Sequence, residues 1–314
     1  MLALYFVYFI ITCFFLGISG NLVVRSLSKI AQHYQMREFV LGFVLVAIST
    51  SIPEFFVGIF SALNQIPALS LGDVIGANII DLTVVIGTAA LLGKKVKVEK
   101  ELNKKEIFYT ALIAFLPILL FLDQELSRID GIILLVVFAW YIVRLIIDRK
   151  HFKMLKDGIT RMQILEQVII FIISLAILLI SAEFIVDIAS QIAVELAFPQ
   201  VLVGLIIVGI GTTLPELSFE TNSVRKGFSG MALGDLLGSV VMNSSLILGL
   251  TALIYPIRAD FLPFLIGSIF LMLILGVFAI FAKTGRMITR KEGIILLMFY
   301  VLFLIVSIFA RVFS

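Results

Sequence analysis

The sequence predicts an all-α integral membrane protein with ten transmembrane helices, arranged as two inverted repeats of five helices each. Three observations support this fold class: the composition, the spacing of apolar stretches and an internal repeat. Hydrophobic residues make up 61% of the 314 residues and charged residues 14%, with a mean hydropathy of +1.18. Soluble domains are usually about 45–50% apolar and about 25% charged. The chain therefore lacks the polar surface that a soluble fold of this size needs.

Ten apolar stretches of about 20 residues are long enough to cross a bilayer. The predicted spans are 2–24, 38–63, 70–92, 106–123, 129–147, 164–189, 199–224, 230–254, 259–282 and 292–312. The first stretch has no basic segment before it and no small-residue cleavage site, so we interpret it as a retained helix. The single cysteine, Cys13, lies within that stretch and is interpreted as a packing residue.

The basic residues predict the orientation. Alternate connections between the spans carry 21 of the 24 Lys and Arg residues, and only Arg128, Arg258 and Arg311 fall on the opposite side. The positive-inside rule then places both termini outside. The predicted organisation is a first five-helix repeat at 1–147, a basic cytoplasmic linker at 148–163 and a second five-helix repeat at 164–314.

The two halves contain a repeated segment. Residues 40–92 align with 202–254 at a constant offset of 162 without a gap, and 14 of the 53 positions are identical. The identities include a Thr, a Pro-Glu pair and a Leu-Gly-Asp triplet, which shared membrane composition does not produce. With five spans in each half, the second copy enters the membrane from the opposite side. Inverted repeats with a Gly- or Pro-interrupted span in each half are typical of transporters.

The repeated motif places a glutamate directly after a proline. The first copy reads Ser-Thr-Ser-Ile-Pro-Glu and ends at Glu54, and the second reads Gly-Thr-Thr-Leu-Pro-Glu and ends at Glu216. Proline removes a helical hydrogen bond and frees a backbone carbonyl, which is tolerated at bilayer depth where it lines a cavity or meets an ion. A mid-membrane carboxylate costs at least a few kcal/mol and marks a functional site by default. Carboxylate, carbonyl and hydroxyl oxygens without His or Cys suit calcium or sodium.

The following span of each half supplies a second polar set. Asp81 and Asn243 occupy equivalent positions, each one helical turn beyond a small residue, Ala77 in the first copy and Ser239 in the second. Residues four apart share a helix face. We therefore predict that Asp81 and Asn243 face the same ion-binding region, although a packing role is an alternative for Asn243 taken alone.

The paired segments resemble the repeats of the calcium/cation antiporter superfamily, and the Pro-Glu motifs are most similar to its sodium/calcium exchanger branch. The resemblance implies that Glu54, Glu216, Thr50 and Thr212 coordinate calcium. It further implies flanking sodium sites with Asp81 and Asn243 at the centre. Their other positions correspond to Ala47, Ser51, Gly209, Thr213, Ala77 and Ser239.

The chain departs from the family pattern at several positions. Microbial sodium exchangers often have Asn at the position of Asp81 and Asp at the position of Asn243, so the two residues are exchanged here. Ala77 lacks the expected hydroxyl, and Asn78 is predicted to point about 100° away from it around the helix. Glu220 is an additional carboxylate, one turn beyond Glu216. It is interpreted as a proton acceptor, a further ion ligand or a vestibule residue.

Two further acidic residues, Asp73 and Asp235, follow a glycine near the start of spans three and eight. An aspartate at a helix start caps exposed N–H groups, and we predict that role for both, with ion binding as the alternative. The Gly-Asp pairs are also compared with the Gly-x-Gly-Asp motif of intramembrane aspartyl proteases. The first glycine of that motif is replaced by leucine in both copies, which counts against a protease.

The resulting prediction is an antiporter of the plasma membrane, and not an enzyme, that exchanges calcium for sodium by alternating access. A proton-coupled exchange of calcium or another divalent cation is the alternative, and a passive channel is to be distinguished by uphill transport. No prosthetic group is expected, and the transported ions are Ca²⁺ and Na⁺ or H⁺. The expected environment is membrane lipid, with no nucleic-acid partner, and the chain is expected to be a monomer.

Overall fold

A computed structural model describes residues 2–33, 50–98, 104–148, 161–284 and 286–312. The helices are, in chain order, α1 (Leu2–His33), α2 (Ile52–Leu63), α3 (Ala68–Ile80), α4 (Ile86–Gly93), α5 (Lys104–Leu120), α6 (Arg128–Asp148), α7 (Arg161–Leu196), α8 (Gln200–Val203), α9 (Gly209–Thr212), α10 (Leu214–Arg225), α11 (Ser229–Val241), α12 (Leu248–Ile254), α13 (Phe261–Thr284) and α14 (Arg290–Val312).

Three π-helical segments join helices into longer rods. They lie at Asp81–Val85 between α3 and α4, at Gly204–Val208 between α8 and α9, and at Met242–Ile247 between α11 and α12. A π-helical turn inserts one residue into the helical ladder and often occurs at functional sites. The insertion lets each rod continue across the bilayer while the side chains at the turn change direction.

The apolar helices coincide with the predicted spans. Among the described residues, seven helices are long and apolar enough to cross a membrane, and the bent pair Gln200–Thr212 and Leu214–Arg225 makes an eighth. These eight correspond to every predicted span except the second and the fifth. The fifth coincides with α6, a 21-residue helix. Only 50–63 of the second lies within the described residues. The protein is thus a multi-pass helical membrane protein.

The spans form an inner and an outer group. In an apolar stretch of 18 residues within each span, 83% of the residues of Ala68–Gly93 and 78% of those of Ser229–Ile254 are buried within the protein. The corresponding share is between 22% and 28% in Leu2–Val23, Gln163–Leu196 and Arg290–Ala310. An apolar helix that exposes most of its surface in a membrane protein faces lipid, because lipid tails are as apolar as its side chains. The inner pair therefore forms the centre of the molecule.

The two halves repeat the same local structure. Helices α2 and α10 contain 12 residues each and begin 162 residues apart. The π-helical segments at Asp81–Val85 and Met242–Ile247 also occupy corresponding places, as do α3 and α11. The 162-residue offset in the sequence is therefore also an offset between matching structural elements.

In two short strand pairs of the described residues, a strand of one half pairs with a strand of the other. Strand β1 (Lys95–Lys97), which follows α4, pairs antiparallel with β4 (Met287–Thr289), which precedes α14. Strand β3 (Ile257–Arg258), which follows α12, pairs antiparallel with β2 (Glu125–Leu126), which precedes α6. Each pair joins a strand after the third span of one half to a strand before the last span of the other.

Glycines allow the inner helices to approach the segment around Gly204 at backbone distance. A Cβ atom on Gly72 would overlap the carbonyl oxygen of Val201, and one on Gly76 would overlap that of Leu205. A Cβ atom on Gly204 would overlap the carbonyl oxygen of Leu69. Small residues that bring helix backbones together are the usual device of tight helix packing in membranes. These contacts lock α3 of the first half to 200–208 of the second.

Helices α1 and α7 form a separate layer. They pack along each other through an apolar seam that includes Phe9, Leu16, Leu178 and Ile185. Their contact with the motif helices is made by side chains. A Cβ atom on Gly20 would lie 3.6 Å from Pro53 Cγ and 3.7 Å from Pro215 Cγ, and Cys13 Sγ occupies the space that a Cβ atom on Gly211 would take. These contacts differ from the backbone contacts of α3.

Candidate cation-binding site

Both repeat motifs break a helix at the same residue. Ser51 has φ −81° and ψ 10°, and its counterpart Thr213 has φ −81° and ψ 5°. In the second half the helical axis bends by 46° at this break. The proline that follows lies in the first turn of the new helix, where its missing N–H costs no hydrogen bond. The break therefore results directly from the Pro-Glu motif.

Glu54 and Glu216 begin the helices that follow the breaks. Each lies in the first turn, where the helix dipole favours a negative charge. Their side chains are 1% exposed, and neither carboxylate oxygen of either residue has a hydrogen-bond partner. The charges of Glu54, Asp81 and Asp235 all act on Glu216, so these residues lie close together. The structure thus brings the two predicted calcium-binding glutamates into one buried region.

Asp81 and Asn243 lie in the π-helical turns of the two inner rods. Both oxygens of Asp81 and the amide oxygen of Asn243 are buried without a partner. The amide nitrogen of Asn243 donates to Asn78 Oδ1 at 3.1 Å, and that of Asn78 donates to Ser244 Oγ at 3.0 Å. Asn78 therefore takes part in the polar centre through Asn243 and Ser244, although it replaces no hydroxyl at the position of Ala77.

The predicted hydroxyl ligands are all buried. Ser51 Oγ and Ser239 Oγ have no hydrogen-bond partner, and Thr213 Oγ1 donates to the carbonyl oxygen of Gly209 at 2.8 Å. Each of these oxygens keeps lone pairs that can face an ion. Ala77 is also fully buried and contributes no hydroxyl. Ala47 lies outside the described residues.

The predicted capping role of Asp73 and Asp235 was wrong. Asp73 lies inside α3, which begins at Ala68, and Asp235 lies inside α11, which begins at Ser229. Neither helix has a side-chain cap bond. Asp73 Oδ1 instead accepts a hydrogen bond from Thr212 at 3.0 Å, and Asp235 Oδ1 accepts one from Thr50 at 2.8 Å. Both aspartates lie beyond the first turn, where the N–H groups already have partners within the helix.

Glu220 lies one turn beyond Glu216 and is fully buried. Both of its carboxylate oxygens are without a hydrogen-bond partner. The charges that act on it are those of Asp235 and Asp81. The additional carboxylate of the second half therefore lies beside the polar centre and not on the surface.

The chain matches a known protein family twice. The family model described as sodium/calcium exchanger protein matches residues 4–147 and again residues 166–309. These two matches cover most of the chain. The protein belongs to the sodium/calcium exchanger family. The two matched segments are displaced by 162 residues, which is the offset of the sequence repeat.

Individual relatives of this exchanger extend over nearly the whole chain. The sodium/calcium exchanger MaX1 of Methanosarcina acetivorans is 29% identical over 98% of this chain and 99% of its own length. The putative antiporter CaxA of Alkalimonas amylolytica is 30% identical over 90% of this chain and 92% of its own length. A solved structure of the sodium-calcium exchanger NCX_Mj superposes with a TM-score of 0.68 at 27% identity and covers 96% of this chain. These relatives are transporters and not enzymes.

The polar centre of this exchanger contains an excess of acidic groups. Six acidic residues are buried in it, namely Glu54, Asp73, Asp81, Glu216, Glu220 and Asp235, and among the described residues no Lys, Arg or His is buried. Buried carboxylates repel one another unless cations or protons lie between them. The described residues contain no group of three His, Cys, Asp or Glu side chains that could hold a metal ion. A bound cation would therefore need hydroxyl, amide and carbonyl oxygens in addition to carboxylates.

Sequence reasoning did not identify two features of the centre. One is the pair of bonds from Thr50 and Thr212 to the aspartates, and the other is the link from Asn78 to Asn243. The identical Leu-Gly-Asp triplets in both halves are the signal that could have identified the aspartates, because the same acidic residue in both copies indicates a shared role. No signal in the sequence predicts the Asn78 link, since position 78 has no polar counterpart in the second half.

Proposed function

We propose that this exchanger moves Ca²⁺ out of the cell in exchange for Na⁺, and that both ions use the site around Glu54 and Glu216. The observation that supports this proposal is the set of buried oxygens without hydrogen-bond partners, to which both halves contribute. Carboxylate, amide and hydroxyl oxygens are the ligands of hard cations. The absence of a buried basic residue from the described part of the centre leaves the negative charge available to a cation.

Ligand roles are proposed residue by residue. Glu54 and Glu216, with Thr50 and Thr212, bind Ca²⁺ at the centre. Na⁺ takes the same region when Ca²⁺ leaves, using the remaining predicted oxygens, which belong to Ser51, Thr213, Asp81, Asn243 and Ser239. Because the two ions share ligands, they cannot be bound together at full affinity, and this competition couples their movements.

Alternating access is proposed to occur by movement of α1 and α7 against the remaining helices. The two kinds of interface support this division. The inner helices contact one another backbone to backbone around Gly72, Gly76 and Gly204, whereas α1 contacts the motif helices through side chains, at Gly20 and through Cys13 against Gly211. A layer held by side-chain contacts can slide at lower cost than one held by interlocked backbones.

The proposed setting is a plasma membrane crossed ten times, with both termini outside and the linker at 148–163 in the cytoplasm. The distribution of basic residues supports this orientation. The functional unit is proposed to be a monomer, because the site is built from the two halves of one chain.

The proposal is tested by transport in proteoliposomes of purified protein. Calcium uptake is followed under an outward sodium gradient, then under an outward proton gradient, with Glu54→Gln as the inactive control. We expect accumulation of calcium above its external concentration with sodium, and none in the control. Calcium that only equilibrates would indicate a channel and would contradict the proposal.

A proton-coupled exchange is the second candidate, and the burial of Glu220 without hydrogen-bond partners favours it. A buried carboxyl without a partner is a group that can carry a proton. If calcium accumulates only under the proton gradient, the coupling ion is H⁺. Glu220→Gln should then abolish uptake, while a sodium-coupled protein should retain sodium-driven uptake in this variant.

A further inference from the structure

Among the hydrogen bonds that connect the halves at the polar centre, two are counterparts of each other. Thr50 Oγ1 donates to Asp235 Oδ1, and Thr212 Oγ1 donates to Asp73 Oδ1. The threonines are 162 residues apart, and so are the aspartates. All four side chains are at most 2% exposed. The same contact therefore occurs twice with the halves exchanged.

The aspartate changes the direction in which the threonine proton points. A threonine within a membrane helix normally donates to the carbonyl one turn earlier, as Thr213 does to Gly209 at 2.8 Å. Thr212 lies 3.0 Å from Asp73 but 3.3 Å and 3.4 Å from the carbonyls of Val208 and Gly209. The shorter contact to a carboxylate is the stronger hydrogen bond. Asp73 is thus the preferred acceptor for the hydroxyl of Thr212.

The bond has a defined polarity. In both bonds the threonine hydroxyl donates its single proton to the aspartate. Once that proton is used, the threonine oxygen can act toward any third group only as an acceptor through its lone pairs. That is the state in which a hydroxyl oxygen ligates a cation. An undirected hydroxyl would instead have to turn its proton away whenever a cation arrived.

We propose that Asp73 and Asp235 are positioning residues for cation binding, each of which fixes the hydroxyl of a threonine from the other half. The inference rests on the proposed function, in which Thr50 and Thr212 are cation ligands. Each aspartate holds the helix break of one half against the inner helix of the other and keeps the threonine oxygen ready for the ion. The two bonds prepare the two sides of the site in the same way.

Double-mutant cycles test the pairing. Calcium affinity is measured by isothermal titration calorimetry on purified protein and by the half-saturating concentration for uptake. Asp73→Ala is expected to weaken affinity about tenfold, which corresponds to the loss of one hydrogen bond. Thr212→Val is expected to weaken affinity at least as much, because it removes a proposed ligand oxygen together with the bond. The double variant should be no weaker than Thr212→Val alone, because the interaction with Asp73 is already lost there.

The chain provides a matched control for this cycle. Asp73→Ala combined with Thr50→Val removes one member from each of the two bonds, so the losses should multiply to about a hundredfold. The reciprocal cycle of Asp235→Ala with Thr50→Val should repeat the result of the first. Multiplying losses within a bonded pair would contradict the assignment.

Asp73→Asn distinguishes positioning from direct ligation. Its amide oxygen accepts the same threonine proton without the negative charge, so a positioning role predicts affinity within about threefold of the unaltered protein. A loss as large as that of Asp73→Ala would overturn the proposal and make Asp73 a direct ligand.

Unaltered protein that binds no calcium would refute the proposed function. Normal binding in both alanine variants would refute only this inference, and a thermal midpoint for each variant excludes misfolding.

Discussion

At the scale of single residues, the asymmetry between the halves is concentrated at position 220. Its counterpart in the first half is Gly58. A Cβ atom on Gly58 would lie only 2.9 Å from Thr251 Oγ1 and Ile247 Cγ2 and 3.1 Å from Ser70 Oγ. The residues that correspond to those three in the other half are smaller and apolar, namely Ala89, Val85 and Ala232. The second half thus has both the larger side chain and smaller residues at the positions that would surround it.

Replacement of Glu220 by methionine is expected to stabilise the fold. The carboxyl group is buried without a hydrogen-bond partner, and such a group destabilises the folded state by about 1–3 kcal/mol. Methionine has a similar length and no polar oxygen. We therefore expect a higher thermal midpoint for Glu220→Met in detergent, and no such gain for Glu166→Met, which alters an exposed residue of α7. A lower midpoint for Glu220→Met would show that the carboxyl has a stabilising partner.

At the scale of the helices, the tight crossing at Gly76 predicts a strong effect of a single methyl group. Gly76→Ala would place Cβ against the carbonyl oxygen of Leu205, and an overlap with backbone cannot be relieved by a side-chain rotation. We expect destabilisation of at least about 2 kcal/mol, seen as a lower thermal midpoint. Gly20→Ala is the matched control, because its Cβ would lie 3.6 Å from Pro53 Cγ. Equal midpoints for the two variants would contradict the proposed difference between the interfaces.

The helical elements also show how far the sequence could predict this structure. The breaks at Ser51 and Thr213 were predictable because the Pro-Glu motif acts on the residues next to it. The burial of Glu54 and Glu216 followed from their mid-span positions. The role of Asp73 was not predictable, since hydropathy locates a helix start only to within a few residues. Its bond to Thr212 crosses between halves, and spacing along one helix cannot identify a partner on another.

At the scale of the whole molecule, the two strand pairs provide a test of the inverted arrangement. Strand β1 is flanked by basic residues of the predicted cytoplasmic side. Strand β3 contains Arg258, one of the few basic residues of the opposite side, which forms an ion pair with Glu125 of β2 at 2.8 Å. If the halves are inverted, equivalent strands must lie at opposite membrane faces. If the halves are parallel, both strand pairs lie at the same face.

Cysteine labelling on intact cells distinguishes these arrangements. In a Cys13→Ala background, Lys95→Cys places a thiol in β1, and Asp260→Cys places one shortly after β3. Both positions are exposed. We expect a membrane-impermeant thiol reagent to label the cysteine at 260 in intact cells and the cysteine at 95 only after permeabilisation, because the lysines around β1 are retained in the cytoplasm. Labelling of both positions from the same side would refute the inverted repeat. Labelling of the cysteine at 95 in intact cells, and of the cysteine at 260 only after permeabilisation, would agree with the inverted repeat but reverse its orientation in the membrane. That reversal would also reverse the predicted positions of both termini and of the linker at 148–163.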